Sequence, residues 1–290
     1  GFPSFFDQAL QVNGALASEC SRIIQRSGPF DLIHNHDWLT SFAAIALKNA
    51  YKLALLTTIH ATERGRGRGH LLTDLSRRIN DAEWRLTYEA WRIICCARHM
   101  ARETHRYFGA PLDKIDVIPN GVDPSRFQAL DERDLSSFRA KYASDDEQIV
   151  LYVGRIVEEK GAEVLVRSVP SVLARVPQAK FVVAGAGPDL ARIRQLVEQM
   201  GLESKVLMPG FVTDEDRDRL YKVADCAIFP SLYEPFGIVA LEAMAARTPI
   251  VVSDVGGFRE VVEHAETGIT IYANQAESCA WGILHTLQHP

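Results

Sequence analysis

The sequence predicts an α/β protein built from two Rossmann-like, doubly wound halves, and three observations carry that prediction. Residues 148–290 repeat a short β-branched run, a Gly, Pro or Ser break and then a helical period, five times in succession. Their strand runs of four to six apolar residues lack polar alternation, which marks strands buried on both faces of a parallel sheet. At 290 residues the chain also exceeds the roughly 100–200 residues usual for one domain.

In the second half the strands are IVLYVG (149–154), KFVVAG (180–185), KVLMPG (205–210), CAIFPS (226–231) and PIVVSD (249–254). Helices are expected near 161–175, 188–200, 214–223, 237–247 and 257–264. The first half follows the same grammar less regularly, with strands at 31–34, 54–60, 93–97 and 115–119, and GFPSFF reads as the inside of a helix. Residues 123–147 are rich in turn formers and charge and lack an apolar period, so they are expected to link domains 1–122 and 148–290. Two such halves place a cleft between them, and ligands of open α/β sheets bind beyond the carboxyl ends of the strands.

Composition narrows the function classes. Apolar residues make up 47% and charged residues 24%, as in an ordinary globular protein. A net charge of −5 argues against nucleic acid as a partner of the whole surface. The five cysteines form neither a disulfide framework nor a CxxC site, which fits a reducing cytoplasm. No run of 18 apolar residues is present, because Lys48 and Lys52 interrupt the longest candidate, so no integral membrane segment is expected.

The polar residues at strand ends carry the candidate chemistry. VGRIVEEKG projects Arg155 and Lys160 from a βα turn, where two cations suit a diphosphate; the alternative is pairing with Glu158, Glu159 or Glu163. YEPFGIVALEA holds two glutamates eight residues apart. Pro235 keeps Glu234 in the loop, while Glu242 lies in the second turn of a helix that is apolar nearly all round. A buried carboxylate there needs partners, either protein groups such as neighbouring N–H donors and Arg247 or the vicinal hydroxyls of a sugar. Gly256-Gly257 in DVGGFREVV allows close approach of a ligand or makes a plain tight turn. VVAGAGPDLARI falls short of a dinucleotide fingerprint because Leu190 stands where the third glycine belongs.

In the first half, DLIHNHDWLT and TTIHATERGRGRGH end two strands with polar residues. His34, His36, Asp37, His60 and His70 raise the alternative of a metal-dependent hydrolase, which would require eight βα units closed into a barrel. The segment ERGRGRGH reads as a flexible basic loop, or one that orders over an anion. Trp84, Tyr88 and Trp91 read as core or interdomain packing in preference to a sugar-stacking platform.

Taken together, EPFGIVALEA, GRIVEEKG, PNGVD and DVGGFREVV resemble retaining glycosyltransferases of the GT-B fold, particularly family 4 and the related glycogen and starch synthases. The resemblance implies that Glu234, with Phe236, Gly237 and Ile238, holds the donor sugar and that Glu242 holds the nucleotide ribose. It also implies that Arg155 and Lys160 bind the diphosphate, with Asn120, Gly256 and Gly257 in the substrate site. HDW with Asp37 and TIH with His60 are similar to the synthase pattern, in which the histidine contacts the transferred sugar. No metal and no cofactor are implied; the partners are a nucleotide sugar, linked through UDP or ADP, and a saccharide acceptor. The implied reaction moves a hexose, glucose first among candidates, with retention at the anomeric carbon. The family's first strand and glycine-rich loop are not found ahead of GFPSFF, so a truncated first domain is expected. The alternatives are a nucleotide-sugar-binding fragment without transferase activity, or a phosphorylase or epimerase of the same fold.

Overall fold

The computed structural model describes residues 4–128, 130 and 132–289. It divides into two compact units, Gly1–Pro119 and Asn120–Pro290.

The first unit carries four parallel strands, β1 (Leu32–His36), β2 (Ala54–Ile59), β3 (Arg92–Cys95) and β4 (Ile115–Val117), paired in that order. Each matches a predicted strand, with ends displaced by one or two residues. Around the sheet run α1 (Phe5–Ser27), α2 (Ser41–Tyr51), α3 (Glu63–Arg66), α4 (Asp74–Glu89) and α5 (Arg98–Phe108). Contrary to the reading of GFPSFF as the inside of a helix, α1 begins at Phe5. Ser4 accepts from the Asp7 N–H and Asp7 reaches back, a capping box. Phe6 then stacks on Trp38 with centroids 5.3 Å apart.

The second unit holds six parallel strands: β5 (Gln148–Val153), β6 (Ala179–Ala184), β7 (Val206–Gly210), β8 (Cys226–Phe229), β9 (Ile250–Ser253) and β10 (Ile269–Ile271). Their order is β10-β9-β8-β5-β6-β7, so the winding reverses between β8 and β5. Among the described strands this reversal belongs to the second sheet, since those of the first run in sequence order. Open sheets also overturn the closed barrel that the metal-hydrolase alternative required. Alternate residues of β5 face opposite cores: Val150 and Tyr152 join one, Ile149 and Leu151 the other. Burial on both faces explains why IVLYV shows no polar alternation.

Helices α6 (Ser125–Gln128) and α7 (Glu132–Arg139) lie in the segment expected to be a linker. Phe127, Phe138 and Ala143 enter the core of the second unit, so 123–147 belongs to that unit and the boundary falls at Pro119. Three apolar side chains among polar neighbours are too sparse to register as a period. The remaining helices are α8 (Ala162–Leu173), α9 (Leu190–Gln199), α10 (Asp214–Val223), α11 (Ile238–Ala245), α12 (Phe258–Val261) and α13 (Ala276–Gln288). Strand β10 and α13 extend the sequence reading. A Cβ on Gly282 of α13 would meet Ile271 at 2.6 Å and Val251 at 2.8 Å, so that glycine seats the helix on β9 and β10.

Candidate functional site

The reversal between β5 and β8 brings two loops together at the carboxyl edge of the second sheet. After β5 the chain runs through Gly154 and Arg155 to Lys160; after β8 it runs through Ser231 to Glu234. Lys160 Nζ lies 2.7 Å from Glu234 Oε2, and Ser231 Oγ donates to the same oxygen at 3.2 Å. The loops are also tied by backbone: the N–H groups of Leu232 and Tyr233 donate to the Glu159 carbonyl at 2.8 and 3.3 Å. Gly161 makes this approach possible. Its φ is +71°, and a Cβ there would stand 1.9 Å from the Pro230 carbonyl oxygen. A small cavity beside the pair is lined by Tyr152, Gly154, Lys160, Ser231, Glu234 and Val239.

Arg155 is turned outward, with its side chain 59% exposed and an Nη2 hydrogen bond of 3.2 Å to Glu159 Oε1. Of the two cations read from VGRIVEEKG, Lys160 is therefore built into the site, and Arg155 stands at its rim paired with one of the acids anticipated as an alternative.

Glu242 keeps different company. It is 8% exposed, and burial pushes its carboxyl above the ordinary range. Tyr221 Oη donates to Oε2 at 3.3 Å, while Arg126 and Arg217 guanidinium nitrogens stand 3.6 and 3.7 Å from Oε1. Arg126 is itself held by a two-pronged contact with Asp218. Arg247, named from the sequence as a partner, is exposed with φ at +65°. The arginines are too distant for short hydrogen bonds, so this carboxylate retains acceptor capacity. Helix α11 is also less enclosed than its composition suggests: Ala240, Glu242 and Ala243 are buried, whereas Ile238 is 43% exposed.

Around the glutamates, the glycines serve chain packing. Gly237, at φ +101°, seats the Phe258 ring, which a Cβ would meet at 2.5 Å. Gly257 packs on the Phe236 backbone and its N–H donates to the Glu234 carbonyl at 2.8 Å, anchoring the loop that carries Glu234. Gly256 takes a left-handed turn at φ +50°. Phe236 is buried, and Asn120 opens the second unit, half-buried. In the GAG turn, Gly185 and Gly187 approach the carbonyls of Gly154 and Ile156, so those glycines also join strands at close range.

At the carboxyl edge of the first sheet, Asp37 Oδ1 accepts from the His60 N–H at 2.8 Å. Burial raises the Asp37 carboxyl above its usual range, opposed by that hydrogen bond. His36 Nδ1 stands 2.9 Å from His60 Nε2, and the His36 and His60 rings stack with centroids 5.2 Å apart. Among the described residues no group of three or more His, Cys, Asp or Glu has metal-binding geometry. The basic segment after His60 is ordered in part as α3, capped by Thr62. Trp84, Tyr88 and Trp91 are 48, 70 and 65% exposed, so they are not core. Tyr221, Arg126 and Arg217 were missed from the sequence, since each gains its role only through contacts distant along the chain, and Ser231 was missed although it lies three residues before Glu234. Asp218, in its helix, offered no signal either.

No helix among the described residues is long and apolar enough to cross a membrane. Residues 135–290 match the family described as Glycosyl transferases group 1, and residues 1–126 match Glycosyltransferase Family 4. An uncharacterised glycosyltransferase of Methanocaldococcus jannaschii is 42% identical over 88% of this chain and 65% of its own length. A glycogen synthase of Mycobacterium tuberculosis is 35% identical over 91% of this chain and 62% of its own. The chain thus spans just under two thirds of these relatives. Sucrose-phosphate synthase from Thermosynechococcus elongatus superposes with a TM-score of 0.83 at 26% identity, covering 97% of this chain and 70% of that one. The catalytic domain of Arabidopsis thaliana starch synthase IV, at 17% identity and a TM-score of 0.76, shares the fold and covers 100% of this chain and 71% of that one. With more than half of its residues matched, this chain belongs to the group 1 glycosyltransferase family and has the GT-B fold.

Proposed function

We propose that the protein is a retaining glycosyltransferase that moves a hexose, glucose first among candidates, from a UDP- or ADP-linked donor to a saccharide acceptor. The observation that carries the proposal is the Lys160–Glu234 pair at the point where the second sheet reverses, with Arg155 at its rim. A diphosphate entering there meets two cations, each worth roughly 4 kcal/mol at 4 Å and an effective dielectric of 20, before desolvation. Lys160 then bridges phosphate and Glu234, leaving the other Glu234 oxygen for a sugar hydroxyl. Charge builds on the departing diphosphate as the glycosidic bond breaks, and the fixed cations stabilise it. The developing oxocarbenium ion is attacked on the face the leaving group vacates, which retains configuration.

Glu242 is assigned to the ribose hydroxyls, because its carboxylate has spare acceptor capacity. Asp37 and His60 are assigned to the saccharide, and Asn120, Phe236, Gly237, Ile238, Gly256 and Gly257 shape the substrate loops.

Incubating the protein with a panel of nucleotide sugars and oligosaccharides, with mass and anomeric analysis of products, tests the reading. A lengthened oligosaccharide of retained configuration is expected, unaffected by EDTA. Binding of nucleotide sugar without turnover would reduce the assignment to a nucleotide-sugar-binding protein.

A further inference from the structure

Glu242 lies in a cluster whose hydrogen bonds are unevenly shared. Arg126 Nε donates to Asp218 Oδ2 at 2.7 Å and its Nη2 reaches Oδ1. Arg217 Nη1 donates to Asp214 Oδ1 at 2.8 Å, and its Nη2 to Asp218 Oδ1 at 3.4 Å. The short contacts of both guanidinium groups therefore go to aspartates. Glu242 Oε1 receives proximity alone, with Arg126 Nη1 at 3.6 Å and Arg217 Nη2 at 3.7 Å, while Oε2 takes the Tyr221 hydroxyl at 3.3 Å.

Such spacing separates charge from hydrogen bonding. A hydrogen bond stretched past its normal range is weak, whereas the attraction between full charges falls only as the inverse of distance. The arginines thus oppose the burial of Glu242 without filling its acceptor sites, of which an ionised carboxylate has about four. Burial pushes the Glu242 carboxyl above its ordinary range, Arg217 and then Arg126 pull it back with the Tyr221 hydrogen bond, and Asp218 adds to the push. Burial also keeps the Tyr221 hydroxyl protonated. The charged and titratable groups facing Glu242 are these four, on α6 and α10; β8, β9 and α12 meet α11 through the apolar residues Phe229, Ile250, Val252 and Phe258. Arg217 Nε is buried with no hydrogen-bond partner among the described residues, a placement that hydrogen bonding by itself does not favour.

We infer that Arg126 and Arg217 are positioning residues for the donor nucleotide: they keep the Glu242 carboxylate ionised with its acceptor sites open to the two ribose hydroxyls, and Asp218 holds them at that distance. The inference rests on the assignment of Glu242 to the ribose. A protonated carboxyl turns one oxygen into a donor and loses the charge that strengthens acceptance from both hydroxyls. Binding that needs the ionised form is lost as pH falls through the Glu242 pKa. Removing a cation raises that pKa, so the loss then begins at higher pH.

The test sets UDP and ADP against their 2′,3′-dideoxy analogues, because the ratio of the two affinities isolates the ribose hydroxyls and cancels titration of the phosphates. Calorimetric titrations run from about pH 5.5 to about pH 8.5, on either side of neutrality. At about pH 7 the wild type is expected to prefer the hydroxylated nucleotide by about tenfold, as for a charge-assisted contact. Arg217→Met and Arg126→Met should narrow the preference to about threefold, recovering as pH rises, while Arg217→Lys keeps the charge and stays near the wild type. Glu242→Gln should show a small preference that does not change with pH. A wild-type preference at every pH in both methionine variants overturns the inference. So does a loss that neither higher pH nor lysine restores, which would make the arginines structural only. A wild-type protein that binds UDP or ADP without discriminating the analogue overturns the ribose assignment and the inference with it. Failure of the transferase reading shows separately, as absence of product with every donor.

Discussion

Lys160 and Glu234, 74 residues apart, form an ion pair of 2.7 Å in which the glutamate is 6% exposed and the lysine side chain 22%. Removing the lysine leaves a largely buried carboxylate that, among the described residues, still accepts from Ser231 Oγ. Lys160→Ala is therefore expected to cost about 1–3 kcal/mol of stability, below the cost of breaking a fully buried pair because the lysine is partly wet. In urea unfolding, Lys160→Ala combined with Glu234→Gln should cost less than the two singles summed. Strict additivity would show that the pair is not coupled.

The two glutamates should separate in function. Glu242→Ala is expected to weaken nucleoside diphosphate binding at least tenfold, and Glu234→Ala chiefly to lower the rate of sugar transfer. Calorimetric titration with UDP and ADP, set beside initial rates, measures both; equal and negligible effects would sink the site assignment.

Tyr221→Phe removes the hydroxyl that reaches Glu242 Oε2 while keeping the buried ring. A loss of about 0.5–1.5 kcal/mol in thermal or urea unfolding is expected. If the hydroxyl merely fills space, the variant will match the wild type.

Glu83 gives the protein a pH dependence of known sign. Burial pushes its carboxyl from 4.5 to about 8, despite the hydrogen bonds it accepts from the Glu63 N–H. Between those values the folded chain holds a proton that the unfolded chain releases. The associated stability is fully present below the unfolded value and is lost as pH rises toward 8, by roughly 2–5 kcal/mol. Glu83→Gln should flatten this part of the profile in melting experiments between pH 5 and 8, measured as the difference from wild type. An unchanged difference across that window contradicts a protonated Glu83.

Glycines make a controlled comparison. Gly161→Ala drives a Cβ to 1.9 Å from the Pro230 carbonyl oxygen at φ +71°, so a loss of about 2–4 kcal/mol is expected together with displacement of the Glu234 loop. Gly14→Ala, within α1 and with nothing inside 4 Å of the new Cβ, should gain about 0.5–1 kcal/mol. Melting temperatures of the two variants decide the matter.

Legibility followed burial. The five predicted strands of the second unit correspond to real ones: β5, β6, β8 and β9 send residues into the cores on both faces and so read as unbroken apolar runs, while β7, at the sheet's other edge, is only partly covered. Strand β10 is three residues long at the sheet's edge, too short to declare itself. Residues 123–147 misled because Phe127 and Phe138 are buried singly between polar neighbours. Trp84 and Tyr88 misled in the other direction, since large aromatics in an amphipathic helix read as core and here are exposed, as is Trp91 just past the helix end.

What the sequence by itself determined is the alternation of strands and helices and the polar residues that end the strands: Arg155, Lys160, Glu234, Asp37 and His60. Periodicity and turn chemistry act over a few residues, so they are written locally. What only the tertiary structure decided is which of those residues meet. Parallel pairing with a reversal between β5 and β8 joins Lys160 to Glu234, and pairing of β1 with β2 joins His36 to His60. The same packing surrounds Glu242 with Arg126, Arg217 and Tyr221 and leaves Arg247 outside, because a buried charge takes its partners from whatever elements the fold lays beside it.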